Sequence, residues 1–453
     1  MGLYEEWLER LAQYEDMVCL EDGPARFTYG EMIKEIETWS ARFNERGVEA
    51  GSVIGLRTDY SIHSTATILA LLRRRAIVAL IPEAGDIEGF AFDSSLDALA
   101  ELTTAGACNW TVLSGHDTTH PLIQRLREQN SGGLVVFTSG TTGRPKAALH
   151  SIERFLTKFR KPGRRFRTLA FLLLDHIAGL DMLFYALTSG GTLVTTRSRL
   201  PVDILKLIQS HHVEVLSTSP SFLRLLCATR TARNYAIPTL RIVTYGSETM
   251  DGRTVAAFRT LFPAVEILQK YGSTEMGAPR AISREDNSLW LKFLDSGVET
   301  KIVDGILWIR CEHAILGYLN APFVIDSDGW YCTGDRVKVE DGWIQFLGRE
   351  SDVINVGGEK VAPIEVEAVL AEIAIVEDCL VVGEPHELLG EVVSARVVLT
   401  PDVTDEKESR KRIRDHCRQR LPTHKVPIRI DFVVELPVSV RQKKLRRLPG
   451  PDN

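Results

Sequence analysis

Apolar and polar positions follow two rhythms along the chain. Between about residues 26 and 349, short aliphatic runs recur at 53–57, 77–81, 134–138, 169–174, 192–196, 213–217, 241–245 and 265–269. These runs are nearly continuous in apolar residues, as strands buried on both faces of a parallel sheet are. Amphipathic stretches separate them. Thr28-Tyr29-Gly30-Glu31 predicts a capping box that opens one helix, and Ser219-Pro220 predicts the N-cap and first residue of another. Near the N-terminus, Leu3, Trp7 and Leu11 fall at a helical spacing and predict a helix docked on the body by one stripe.

After residues 297–300 the rhythm changes to strands and hairpins at 305–310, 329–332 and 343–347, with turn signals at Asp328-Gly329 and Asp341-Gly342. A last module begins near Arg349: a helix at 363–372, strands near 379–382 and 392–399, a charged helix at 405–420 and a strand at 428–434. The prediction is an α/β fold. A large N-terminal region of stacked, helix-covered sheets spans 1–349, and a small, mobile C-terminal α+β domain spans 350–453.

Composition narrows the function classes. Of 453 residues, 44% are apolar and 25% charged, which excludes a disordered or fibrous chain. A net charge of −6 argues against general nucleic-acid binding, which needs a basic surface. The seven cysteines form no Cys-x-x-Cys pair, so neither zinc nor dithiol chemistry is signalled, and reduced, packed thiols in a cytoplasmic protein are expected. No apolar run approaches the ~18 residues of a membrane span. His211-His212 read as loop or surface residues, and the basic runs at 73–75 and 160–167 as solvated faces.

The sharpest chemical signal follows the apolar run at 134–138. Thr138, Ser139, Gly140, Thr141, Thr142 and Gly143 form an unbroken small-residue stretch, closed by Pro145 and Lys146. Small residues let backbone N–H groups approach phosphate oxygens, hydroxyls add donors, and the lysine adds a mobile positive charge. The spacing is not that of a Walker A loop. A flexible surface loop is the plainer alternative, and the unbroken run weighs against it.

The stretch Thr138–Lys146 resembles the phosphate loop of the adenylate-forming superfamily, which holds acyl- and aryl-CoA ligases, peptide-synthetase adenylation domains and luciferase. The resemblance continues in order along nearly the whole chain. Tyr271-Gly272-Ser273-Thr274-Glu275 is similar to the second ATP motif, and Tyr331-Cys332-Thr333-Gly334-Asp335 to the ribose motif. Gly348-Arg349 with Asp352 resembles the inter-domain hinge, Gly357-Gly358-Glu359-Lys360 the C-terminal loop, and Leu436-Pro437 with Lys443 and Arg446 the closing lysine motif.

The resemblance implies ATP-dependent activation of a carboxylic acid to an acyl-adenylate. The acyl group then passes to the thiol of CoA or of a carrier protein's pantetheine. It implies that residues 138–143 and Lys146 hold the β- and γ-phosphates, that Thr274 meets the α-phosphate, and that Glu275 ligates Mg²⁺. Asp335 would accept the ribose hydroxyls, Arg349 would border the nucleotide, and Gly357 and Gly358 would line the thiol tunnel. Lys443 would be the catalytic lysine. Gln442 replaces the glycine usual before it, and Lys444 is the alternative. Ser351 stands where the hinge commonly has Asp or Lys.

The acid pocket admits two registers. Asp175-His176-Ile177-Ala178-Gly179 resembles the His-x-x-Gly of acyl- and aryl-CoA ligases, with His176 beside the carboxylate. Shifted by one residue, Asp175 would hold an amino acid's ammonium. Gly246, Ser247, Tyr271, Gly272 and Met276 are the expected lining, with Ser247 in place of a usual glycine. Two rivals remain at this level: an amino-acid-activating enzyme, and a binding protein on the same fold whose Gln442 and Ser351 mark lost catalysis.

Overall fold

Hydrogen-bonded strands form four sheets in the computed structural model, which describes residues 2–83, 87–113, 120–138, 145–248, 250–284, 289–294, 297–403 and 405–437. Ser139, Gly140, Thr141, Thr142 and Gly143 lie outside the described residues, as do Gln442, Lys443, Lys444 and Arg446.

The first sheet runs Glu266–Gln269, Ile242–Tyr245, Val215–Thr218, Arg167–Ala170, Thr192–Thr195, Val18–Asp22, Ala25–Thr28, parallel except for the last hairpin. The second runs Gly317–Tyr318, Lys146–Ser151, Gly133–Thr138, Ile77–Leu80, Val53–Arg57, Ala98–Leu102, Cys108–Val112, with a parallel centre and antiparallel edges. Alternate residues of its central strands serve different cores. Ile54, Val78, Leu80 and Val136 face the helices between the two sheets, while Val53, Ile77, Val135 and Phe137 face a second cluster. Burial on both faces is why these strands read as continuous apolar runs.

The helices Tyr29–Glu45, Ile62–Arg73 and Ile177–Thr188 share the core cluster that joins the two sheets. The predicted capping box is present: Thr28 Oγ1 accepts from Glu31 N at 3.1 Å, and Glu31 returns the bond to Thr28 N at 2.8 Å. Ser219 caps Pro220–Ala228 by accepting from Phe222 N. The N-terminal helix Leu3–Ala12 buries Trp7 and Leu11 as the spacing predicts. Trp7 packs against Tyr4 and Phe184 and donates to Thr188 Oγ1 at 2.7 Å.

Three expectations need correction. The strand expected at 169–174 is Arg167–Ala170. From Phe171 the chain leaves the sheet in tight turns, with Phe171 N donating to Leu169 O and His176 N to Leu173 O. The apolar residues there pack as loop: Phe171 joins one core and Leu174 another. His211 is no bare surface residue. Its Nδ1 lies 2.9 Å from the buried carboxylate of Glu21, which Arg167 and Arg26 also hold. Arg167 therefore leaves the solvated basic run.

The third sheet is antiparallel and ends at Arg349. Asp341-Gly342 is its predicted two-residue turn, with both φ positive and Glu340 opposite Trp343. The fourth sheet is built wholly from residues after Arg349 and is covered by Pro363–Ala371 and Glu406–Arg420, giving the smaller C-terminal domain its own core. Among the described residues no helix is long and apolar enough to cross a membrane. All seven cysteines are free, and only Cys332 is exposed.

Trp7→Ala removes a ring sealed between two aromatic side chains, and is expected to destabilise the fold by about 3–5 kcal/mol. Urea unfolding checks this, with Trp7→Phe losing only part of it.

Candidate active site

Parallel strands leave a crevice beyond their carboxyl ends, because successive loops turn away to different elements. Here the residues that end or follow Val215–Thr218, Ile242–Tyr245 and Glu266–Gln269 line a cavity of about 870 Å³. The wall continues onto Thr138 and Lys146 from the second sheet, one face of the helix Ile177–Thr188, and Arg349. Segments as far apart in sequence as Thr138 and Arg349 thus share one chamber.

Thr138 and Lys146 face each other across an antiparallel pair, so the loop between them starts and finishes at the cavity. Asn320 fastens its exit: the side chain donates to Pro145 O at 2.8 Å and accepts from Ala147 N at 2.9 Å. Two residues earlier, Tyr318 donates its hydroxyl to Glu275 Oε1, and its ring lies under the Lys146 ammonium, 5.2 Å from Nζ. Burial and the Glu275 charge together push the Tyr318 hydroxyl far up, so it stays a donor. Neither Tyr318 nor Asn320 was singled out from the sequence. A Gly-Tyr-x-Asn run carries no chemical signal until the strand pairing of Gly317–Tyr318 with Ala148 and Leu149 places it.

Thr274 and Glu275 sit in a tight loop closed by the bridge between Ser273 and Gly277. Behind it lie His150 and His313, both buried. Burial, reinforced by the nearby Lys158 charge, pushes both imidazoles down to about 3, so both are neutral. Asp335 stands behind the wall. Tyr271 donates to its Oδ2 at 2.7 Å and Arg349 Nε approaches its Oδ1 at 3.2 Å. Burial raises the Asp335 carboxyl above its ordinary range, with Arg349 and Tyr271 pulling the other way. Tyr271 is itself clamped against Phe346, with ring centroids 4.3 Å apart.

His176 is the N-cap of the helix Ile177–Thr188 and lies on the cavity wall, whereas Asp175 is not on that wall. The glycine three residues on has a steric cause. A Cβ at Gly179 would stand 1.9 Å from Leu173 O, so the helix can approach the preceding turn only where no side chain exists. Ser247 holds φ +71, a left-handed conformation that costs a serine about 1–2 kcal/mol and suits the glycine it replaces. Gly246, Ser247, Tyr271 and Gly272 all line the cavity.

Other expected positions lie elsewhere. Met276 is buried at 1% exposure among Leu307, Ile309 and Val337, because its side chain points into the antiparallel sheet's core. Gly357 and Gly358 form the exposed turn between Ile354–Val356 and Glu359–Val361, and among the described residues none beyond Arg349 lines the cavity. Ser351 lies in the short turn Glu350–Asp352 that joins the last strand of the third sheet to the C-terminal domain. Polar contacts bind that domain to the body: Arg253 donates to Ala371 O and Val376 O, and Glu350 bridges Arg336 and Lys360. Leu436 is anchored against Leu380 and Val382, close to the end of the described chain.

A nucleotide-sized chamber at strand ends, edged by Thr138, Lys146, Thr274 and Glu275, fits an AMP-binding enzyme. Residues 94–319 match the model of the AMP-binding enzyme family, and 365–443 match its C-terminal domain. The chain belongs to that family, and it is an AMP-forming acid–thiol ligase. It is 27% identical to a 2-succinylbenzoate–CoA ligase of Geobacillus kaustophilus, over 99% of this chain and 97% of that one. It is 26% identical to a 4-coumarate–CoA ligase of Pinus taeda, over 99% and 94%. In fold it resembles the anthranilate CoA ligase AuaEII crystallised with anthranoyl-AMP, with a TM-score of 0.84, 20% identity and coverage of 98% and 95%.

Gly179→Ala is expected to cost about 3 kcal/mol or more through overpacking. It should also raise the KM for the acid by displacing His176. Urea unfolding and acid-dependent pyrophosphate release measure the two effects separately.

Proposed function

We propose that this ligase activates an acyl or aryl acid without an α-ammonium group, and that CoA is its thiol acceptor. The observation that carries this reading is the placement of His176 on the cavity wall with Asp175 off it. An amino acid's ammonium needs an uncompensated carboxylate in the pocket: Asp175 is off the wall, and Asp181 on it is already paired with Lys158. The names of the relatives, CoA ligases of aromatic or extended acids, support the same choice.

In the first step a carboxylate oxygen attacks the α-phosphorus of ATP. The bond to the bridging oxygen breaks, and pyrophosphate leaves with the electron pair. Thr138 and Lys146, with residues 139–143, hold the leaving phosphates. Thr274 steadies the α-phosphate, and His176 packs beside the acid. Lys443 bridges the carboxylate and α-phosphate, placing positive charge where negative charge gathers. Asp335 accepts the ribose hydroxyls on the lone pairs that Tyr271 and Arg349 leave free. In the second step the CoA sulfur attacks the acyl carbonyl, and AMP departs.

Glu275 suits a magnesium ion carried in with the nucleotide. Its carboxylate borders the cavity, and a single protein carboxylate plus substrate phosphates is a usual magnesium setting. Among the described residues no group of three or more His, Cys, Asp or Glu side chains is arranged to hold a metal by itself. When bound, the ion neutralises phosphate charge.

Ser351 is the pivot of the small domain in this reading. The contacts described between that domain and the body are polar and either exposed or part-buried, and exposed pairs are individually worth about 0–1 kcal/mol. Rotation about 350–352 carries the Gly357-Gly358 turn to the cavity for the thiol step.

Pyrophosphate release with Mg-ATP and a panel of fatty, aryl and amino acids, with hydroxylamine trapping the adenylate, tests the proposal. Turnover confined to amino acids overturns it. Lys146→Ala and Lys443→Ala should each lower adenylation ~100-fold or more, by analogy with the loss of one transition-state donor. A wild-type rate in Lys443→Ala would move the role to Lys444.

Asp335 gives a pH test. A carboxylic acid accepts ribose hydroxyls fully only when ionised, and burial raises the pH at which this carboxyl takes up its proton. ATP affinity should therefore weaken on acidification, beginning at a higher pH than for an ordinary aspartate. Equilibrium titration from neutral pH down through the ordinary carboxylate range should show this in the wild type and not in Asp335→Asn, whose affinity is low throughout.

A further inference from the structure

The helix Ile177–Thr188 presents Ile177, Ala178, Asp181, Met182 and Tyr185 to the cavity. One of these is a carboxylate, and its counter-ion comes from another element. The Lys158 ammonium pairs with Asp181 Oδ1. The two partners are unequally sealed: the Lys158 side chain is 4% exposed and that of Asp181 24%. Lys158 Nζ also lies over the rings of Phe155 and Phe159, 4.9 and 5.0 Å from their centroids. His150 and His313 behind it are neutral. Both side chains border the cavity, but the lysine is nearly sealed and capped by two rings, so the aspartate is the member with open surface for a ligand.

No step of the adenylation described above uses this pair. Two charges withdrawn from water carry a desolvation cost that matched apolar residues would avoid. A pocket for a plain hydrocarbon acid gains nothing from them. An ionised carboxylate only accepts hydrogen bonds. A second cation is disfavoured, because Lys158 already neutralises Asp181. The ligand group that fits is a neutral donor.

We propose that Asp181, with Lys158 as its counter-ion, is a specificity-determining residue. It accepts a hydrogen bond from a hydroxyl or aryl amine on the acid substrate. This deepens the ligase reading and rests on it. Asp181 lies five residues beyond His176 on the same helix, ~7.5 Å along the axis at 1.5 Å per residue. With the carboxylate beside His176, the donor stands roughly one aromatic ring further in. The substrate class is a hydroxy- or amino-substituted aryl acid. An acid lacking the donor leaves Asp181 stripped of water with nothing in exchange, which is how a polar pocket rejects the smaller analogue.

The test compares acids that differ by one hydroxyl: benzoate against 3- and 4-hydroxybenzoate, and cinnamate against its 4-hydroxy form. In the wild type, kcat/KM for pyrophosphate release should favour at least one hydroxylated partner by ~10- to 100-fold, the range of a hydrogen bond to a charged group. Asp181→Asn alone should shrink that ratio. The paired change Lys158→Met/Asp181→Leu removes both charges and fills similar volume, so it avoids an orphaned buried ion. Its ratio should fall to near unity or invert. Equal use of the matched acids by the wild type overturns the inference, as does a preference that survives the paired change. Thermal shift with the same acids reads the pair without turnover: a larger shift for the hydroxylated acid in the wild type only supports it, and equal shifts overturn it. Pyrophosphate release from none of the acids overturns the acyl-acid reading itself, while the thermal shifts still decide whether Asp181 reads a hydroxyl.

Discussion

The Tyr318 hydroxyl bond to Glu275 makes one site out of three pieces of chain. Tyr318 belongs to a two-residue strand at the edge of the second sheet. Its hydroxyl reaches the loop that carries Thr274 and Glu275, and its ring carries the Lys146 ammonium. Without it, Lys146 and the Glu275 carboxylate would be long side chains on separate elements, each paying rotamer entropy alone. Asn320 adds the same service to the backbone, fixing the chain on either side of Lys146. Charge and geometry at this end of the cavity thus depend on one tyrosine.

The far end is set by sterics. Gly179 lets the helix Ile177–Thr188 press against Leu173, and this fixes where His176 enters the wall. The helix is stabilised on its other side by the core shared between the two sheets. At one end of the cavity polar bonds position flexible side chains. At the other, backbone contact positions a rigid element.

Local physics decided how much could be read from the chain. Strands of the two parallel sheets were legible because burial on both faces leaves only apolar residues, and the capping box at Thr28 because its two bonds span three residues. The run at 169–174 misled because apolar loop residues that fill a core look like strand residues. His176 and Gly179 were legible as a pair, since the clash that demands glycine is local. Met276 was not, because one residue's difference in a tight loop turns a side chain from the cavity to a core. Tyr318, Asn320 and the Lys158–Asp181 pair were silent. Their partners lie 23 to 175 residues away, and no local pattern encodes such distances.

The helix Ile177–Thr188 that walls the cavity also divides two kinds of selection. Leu180, Leu183, Phe184 and Leu187 belong to the core and bear on whether the protein folds at all. Ala178, Asp181 and Tyr185 face the chamber and bear on what it accepts. Change on the second set bears least on the first where a side chain touches no core residue, so a gene of this kind can change its diet by a few codons along one helix, with Asp181 changing together with Lys158.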